Sequence, residues 1–284
     1  MIKQTQALKA LIACAVGVAS ASLSFGAHAT LANNTVDIWK VDVSTAFDTS
    51  TVCDTAGNCG AASTITKSPL SLSWGSGGVS GLDINPAVSS ANVNTNGASV
   101  PNVSITHRNQ PISGTTLKTV DIVSALTLTP FSPAGAALPS ANIIFKIHFA
   151  ETPNTPASGT CADGGANNVG VNINGCADIY VTDTTSLNFP FFYDIDGVGG
   201  LPEKQYFISF FESTSGLNPL PAAACSAVGV AAPCLGFRTP ESTNTTVRFA
   251  SLITTAPVSI PEPATSALLG IGLLGGLLAR RRRS

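Results

Sequence analysis

The feature that most restricts how this chain can fold is a period of two in its apolar residues. Between 142 and 149 the sequence reads NIIFKIHF. Ile143, Phe145, Ile147 and Phe149 then share one side of an extended backbone, with Ile144, Lys146 and His148 on the other. Similar runs recur at 36–43, 71–74, 102–107, 178–181, 189–195, 204–211 and 246–253, and VDIV leads on to LTLT across 120–129. Clusters of Gly, Pro, Asn and Ser separate them, and no segment carries a 3.6-residue period. About nine strands, each with one face to bury, predict an all-β fold: a two-sheet, jelly-roll-like β-sandwich. Pro190 marks its strand as an edge or a late start, because proline has no N–H to give a ladder.

Both ends depart from this pattern. The first nine residues carry Lys3 and Lys9 and no acid. An apolar run from Ala10 to Phe25 follows, then Ala27-His28-Ala29. Basic, apolar and small-residue parts in that order describe a signal peptide cut by signal peptidase after Ala29, leaving Thr30 first in the exported chain. The tail from Pro261 reads PEPATSALLGIGLLGGLLARRRRS. As a helix, Ala264 to Ala279 would span about 24 Å, somewhat short of the roughly 30 Å hydrocarbon core. Arg280, Arg281, Arg282 and Arg283 would stay cytoplasmic and stop transfer. Pro261 and Pro263 keep the backbone just outside the bilayer extended, the form a protease cleft accepts.

Pro261-Glu262-Pro263, an apolar transmembrane segment and an arginine cluster, in that order, resemble the PEP-CTERM sorting signal of exported proteins in Gram-negative bacteria. The resemblance implies an exosortase, a membrane cysteine protease-transpeptidase, cutting near the Pro-Glu-Pro. It also implies a transient inner-membrane intermediate and a final place at the cell surface, outer membrane or extracellular matrix, with ties to exopolysaccharide and biofilm. The expected organisation is a signal peptide at 1–29, a β-sandwich ectodomain at 30–253, a linker at 254–260 and the sorting signal at 261–284.

Thr30 to Pro263 holds all sixteen acids but only eight of the fourteen basic residues, a formal −8 for the exported body. Such a charge gains nothing from phosphate neutralisation, which argues against nucleic acid as a partner. Six cysteines remain after Cys14 leaves with the signal: Cys53, Cys59, Cys161, Cys176, Cys225 and Cys234. An even count in an exported chain reads as disulfides, and sequence-local pairs 53–59, 161–176 and 225–234 are favoured, each stapling a loop at its base. None of these pairs has the short C-x2-C spacing of a zinc site, and no histidine lies nearby.

One tetrapeptide stands out. Thr106, His107, Arg108 and Asn109 read THRN and resemble the THxN motif that names one subgroup of PEP-CTERM proteins, a likeness that brings no chemistry with it. Alternation sets Thr106 and Arg108 on one side, His107 and Asn109 on the other. His107 reads as a hydrogen-bonded structural residue, with metal ligand, general base or sugar-contacting donor as alternatives, and a pair with His148 if their strands adjoin. Arg108 reads as solvated, or as paired with Asp121 or an acidic sugar. In DIDGVGG, Asp194 and Asp196 are candidate calcium ligands. The stretch fails the EF-hand pattern, because Val198 and Gln205 occupy positions that need carboxylates. The alternative is an Asp-Gly turn.

Trp39, Trp74, Tyr180, Tyr193 and Tyr206 are able to stack on sugar rings, but each lies in a predicted strand and is expected mostly in the core. No nucleophile elbow, H-E-x-x-H or phosphate loop is present. The expectation is a non-enzymatic structural or adhesive component, with polysaccharide or matrix proteins as partners. A calcium-assisted carbohydrate-binding module and a glycan hydrolase are the rivals.

Overall fold

Alternation runs further along the backbone than the apolar residues alone reveal. A computed structural model describes residues 34–182, 188–197, 201–214 and 216–258. The signal-cleavage residues Ala27, Ala29 and Thr30, the Pro261-Glu262-Pro263 motif, the apolar tail and Arg280 to Arg283 lie outside the described residues. Within them are fourteen strands: β1 Ile38–Asp54, β2 Thr66–Lys67, β3 Ser71–Trp74, β4 Ser80–Asn85, β5 Val88–Asn94, β6 Val100–Arg108 and β7 Leu117–Ser132. There follow β8 Ala141–Ala150, β9 Asp178–Thr182, β10 Phe189–Tyr193, β11 Lys204–Glu212, β12 Asn218–Pro219, β13 Leu235–Thr239 and β14 Asn244–Thr254.

They form two antiparallel seven-stranded sheets, ordered β12-β13-β9-β8-β7-β1-β5 and β10-β11-β14-β6-β4-β3-β2. The fold is all-β and sandwich-like. Strand β8 shows why: Ile143, Ile147 and Phe149 are buried while Ile144 and Lys146 face outward. The central hydrophobic cluster draws Phe47, Val120, Ile122, Ile147, Phe149 and Tyr180 from the first sheet. Leu72, Trp74, Leu82, Ile84, Ile105 and Val247 come from the second. A second cluster gathers around Trp39, whose ring meets Phe191, Tyr193 and Tyr206 edge-on at 5.1–5.4 Å. Four of the five residues considered for sugar stacking are therefore core: Trp39, Trp74, Tyr180 and Tyr206.

Several expectations need correction. VDIV and LTLT belong to one sixteen-residue strand, β7, and β1 runs seventeen residues, because their pairing continues past polar interruptions such as Ser124 and Thr45. Those two hydroxyls are buried and bond each other at 2.9 Å, so they satisfy themselves inside the sandwich. Strands β4, β5 and β13, and the two-residue β2 and β12, were not foreseen. VSSANVN is mostly polar because β5 is an edge strand with an exposed face. LGFRT pairs with β9 although its glycine interrupts the pattern. That glycine, Gly236, lies against the backbone carbonyl of Tyr180, leaving no room for a Cβ.

The three disulfides join Cys53–Cys59, Cys161–Cys176 and Cys225–Cys234. The third is not a plain stapled loop: Cys225 lies on a short helix, α1 Ala222–Ala227, whose Ala224 and Cys225 cover the outer face of β9 at Ile179 and Val181. Carboxylates organise the other two. Asp54 accepts the backbone N–H groups of Ala56, Asn58 and Thr64 at 2.9–3.0 Å. Asp163 accepts Gly165 N–H at 2.8 Å, the Asn172 amide and Arg238 Nη1 at 2.6 Å. Burial works to raise the Asp163 pKa, but these donors outweigh it and hold the carboxyl below its usual range. Asp54, Asp163, Asp178 and Glu241 are all buried, so the formal charge of the body overstates its surface acidity.

The stapled loops differ in length, and chain entropy ranks their value. Replacing both cysteines of the fifteen-residue Cys161–Cys176 separation by alanine should cost about 3 kcal/mol, against about 2 kcal/mol for the six-residue Cys53–Cys59 separation. Urea unfolding of the two double variants checks both the losses and their order.

Candidate functional site

The THRN residues divide between the two faces of β6, and each finds a different neighbour. On the outer face Thr106 Oγ1 meets Thr246 Oγ1 of β14 at 2.8 Å. Arg108 Nε donates to Asp83 Oδ2 of β4 at 2.6 Å, and Asp83 Oδ1 also accepts from Ser71 Oγ of β3. Arg108 therefore pairs with Asp83, not Asp121: β4 is the neighbour of β6, while Asp121 belongs to the opposite sheet. Gly81, directly opposite Arg108 in the ladder, leaves space for the guanidinium; a Cβ there would collide with it and with the Leu72 carbonyl. On the inner face Asn109 is buried at the strand end. Its amide donates to the Thr239 carbonyl at 3.0 Å, and its own N–H donates to the Thr243 carbonyl at 2.9 Å.

His107 is wholly buried, and it points into a set of groups that no sequence pattern announced. Its ring lies parallel to Trp74 at 6.1 Å and edge-on to Phe149 at 4.9 Å. Across the inter-sheet space its Nε2 stands 3.7 Å from Asp178 Oδ2 of β9. His148 is on β8 of the other sheet, so the condition for a histidine pair, adjoining strands, is not met. Asp178 Oδ1 accepts the Thr152 N–H at 2.9 Å, and its carboxyl faces Glu151. Glu151 Oε2 accepts the Trp74 indole N–H at 2.8 Å. Glu241, in the β13–β14 connection, adds a third carboxyl, 2 % exposed against 1 % for Asp178 and 0 % for His107.

The electrostatics follow from burial. Two facing carboxyl groups make a hydrogen bond only if one keeps its proton. Burial, then the charge on Glu151, pushes the Asp178 pKa well above the usual range, so the pair holds on to a proton more strongly than free carboxyls do. Burial also raises Glu151 to about 7, against the pull of the Trp74 donor. Glu241 is raised by burial as well. Burial, helped by the charge on Arg108, lowers His107 to about 3, so it is neutral and its contact with Asp178 is not an ion pair. Both His107 nitrogens, Asn109 Oδ1, Tyr180 Oη and Thr239 Oγ1 lack a hydrogen-bond partner among the described residues.

This is a polar junction inside the sandwich where β3, β6, β8, β9 and the β13–β14 connection meet. No group of three or more His, Cys, Asp or Glu side chains has metal-holding geometry among the described residues. Asp194 and Asp196 are not brought into this cluster. Asp194 Oδ1 accepts the N–H groups of Asp196 and Gly197, both at 3.2 Å, and Asp196 Oδ2 accepts that of Leu201 at 2.9 Å. These are the bonds of an Asp-Gly turn; Val198 and Gly199 lie outside the described residues. Sequence reasoning found His107 and Asn109 but missed Glu151, Asp178 and Glu241. Asp178 heads a strand and Glu151 follows one, positions where an acid normally meets water.

The family described as the PEP-CTERM protein-sorting motif matches residues 259–283. No curated protein matches the chain. The motif indicates an exported protein targeted to an exosortase and directed to the cell surface.

Two measurements address the junction. A folded-state pKa raised to about 7 means that the Glu151 contribution to stability is present below its ordinary value of 4.5 and lost as pH climbs through 7. His107 runs the other way: its contribution is present above 6.5 and fades as pH falls towards 3. The urea midpoint of Glu151→Gln, measured against the native protein, should therefore rise between pH 4.5 and 7 and level off beyond. Asn109→Ala removes the donor to the buried Thr239 carbonyl and should cost about 1–3 kcal/mol in the same assay.

Proposed function

We propose that the exported body is a structural or adhesive component of the cell surface or of an exopolysaccharide and biofilm matrix, retained there after exosortase processing, and that it is not an enzyme. The observation that carries this reading is where the body spends its chemically able side chains. Trp39, Trp74, Tyr180 and Tyr206 are packed between the sheets, and Asp178, Glu241 and His107 are sealed with them. The carboxylates of Asp54 and Glu212 at strand ends and of Asp163 in a loop are occupied by the body's own N–H groups. What remains outside is rich in Ser, Thr, Asn and Gly. A matrix component needs endurance in an oxidising exterior, which three disulfides and self-satisfied loops favour.

On this reading THRN is a joint. Its four side chains tie β6 to β14, to the inter-sheet cluster, to β4 and to the end of β13. Membership of the THxN subgroup, a jelly-roll-like sandwich over 30–253 and a Gram-negative host belong to the same proposal. One observation favours a second reading. Glu151, half-buried with its pKa raised to about 7 and facing another carboxyl, has the character of a glycosidase acid, and glycan hydrolysis would then depend on it.

Glycan-array binding by residues 30–260, with and without chelator, together with a reducing-end assay, separates these readings. The structural role expects no chelator-sensitive binding and no new reducing ends. New reducing ends abolished by Glu151→Gln would establish the hydrolase instead, and chelator-sensitive binding a calcium-assisted lectin-like module.

A further inference from the structure

The segment that leads out of the last strand does not leave the body freely. β14 ends at Thr254, and two asparagines take hold of the residues beyond it. Asn96, in the turn after β5, accepts Thr255 N–H on Oδ1 at 3.0 Å, and its Nδ2 donates to Thr255 Oγ1 at 3.2 Å. Its own N–H donates to the Ile253 carbonyl at 2.8 Å. Asn188, just before β10, then grips Val258 from both sides. Val258 N–H donates to Asn188 Oδ1 at 3.0 Å, and Asn188 Nδ2 donates to the Val258 carbonyl at 3.0 Å. The Asn188 side chain is itself fixed by Ser209 Oγ, which donates to Oδ1 at 2.6 Å. Both asparagines hold positive φ, 57° at Asn96 and 60° at Asn188, a conformation asparagine tolerates better than most side chains.

We propose that Asn96 and Asn188 clamp Thr255–Val258 to the folded body, and that this clamp limits exosortase access to Pro261-Glu262-Pro263. The inference rests on the reading of that motif as the processing signal. Two physical consequences carry it. First, the clamp shortens the free spacer before Pro261 from the six residues after Thr254 to the two after Val258. At full extension Pro261 is about 24 Å from Thr254 against about 10 Å from Val258, so the folded body stands much closer to the motif. Second, a protease cleft takes an extended substrate by its backbone N–H and C=O groups. Asn188 already occupies both of those groups on Val258, so body and enzyme compete for one stretch of backbone. The clamp is made of exposed hydrogen bonds, so it opens reversibly and slows processing without forbidding it.

The test is a pulse-chase of the full-length chain in cells that carry its exosortase, following conversion of precursor to processed form. N96G/N188G removes both carboxamides, while glycine accepts the same positive φ, so the backbone path is retained. A second variant inserts four Gly/Ser residues after Val258, lengthening the spacer with the clamp intact. N96G/N188G, which loses the carboxamide bonds to Thr255 and Val258, should be processed roughly three- to tenfold faster through a larger open population. The insertion variant should be faster as well, because its longer spacer carries the motif away from the body. N96G/N188G processed at the native rate or slower would overturn the proposal. Amide exchange at Val258 in the detergent-purified precursor gives an independent reading: protection supports the clamp, and exchange at the free-peptide rate overturns it. The variant with Pro261, Glu262 and Pro263 all changed to alanine keeps the two ideas apart. If it matures like the native chain, the motif reading itself fails, whatever the clamp variants do.

Discussion

Two seven-stranded sheets must bury their facing sides against each other, and the remaining architecture follows from that requirement. Side chains along every central strand alternate between this interior and the outside, so a polar residue on an inner position has to find its partner within the sandwich. Thr45 and Ser124 do so by bonding each other across β1 and β7. Trp74 does so through Glu151. His107 has aromatic rings and Asp178 beside it. Removing one member of such a set while leaving the others buried costs more than any of the contacts contributes singly.

The same economy governs the periphery. Long loops cannot bury apolar surface of their own, and here disulfides and acids hold them. Cys53–Cys59 closes around a chain already gathered by Asp54, and Cys161–Cys176 spans a loop centred on Asp163. Arg238 reaches from β13 to Asp163, tying the second loop to the first sheet. Acids used in this way are absent from the surface. The body presents a less negative face to its surroundings than its composition suggests.

Much of the architecture was legible because period two is a local property. NIIFKIHF is β8 almost to the residue, and FPFFYDI, with its proline, is the edge strand β10. The cysteine pairing was legible for the same reason: short separations close cheaply, and each pair lay in turn-rich sequence. The weaker strands were not. VSSANVN and LGFRT carry too few apolar residues to reveal themselves, and they become strands because β1 and β9 offer them a ladder. The junction around His107 was half legible. Alternation set His107 and Asn109 on one face of β6, but nothing local says that Glu151, Asp178 and Glu241 face them. Those acids lie 44, 71 and 134 residues further along the chain from His107.

The sequence by itself determined the class of fold, the loops that are stapled and the address carried by the tail, because alternation, cysteine spacing and the sorting motif all lie within short stretches of chain. Tertiary structure alone decided which sheet each strand joined, that Arg108 would meet Asp83, and which acids have their pKa raised by burial. It also decided that Asn96 and Asn188 would hold Val258 and Thr255 three to six residues ahead of Pro261. Partner choice and pKa depend on what is brought close in space and shielded from water, and neither is encoded in any single stretch of residues.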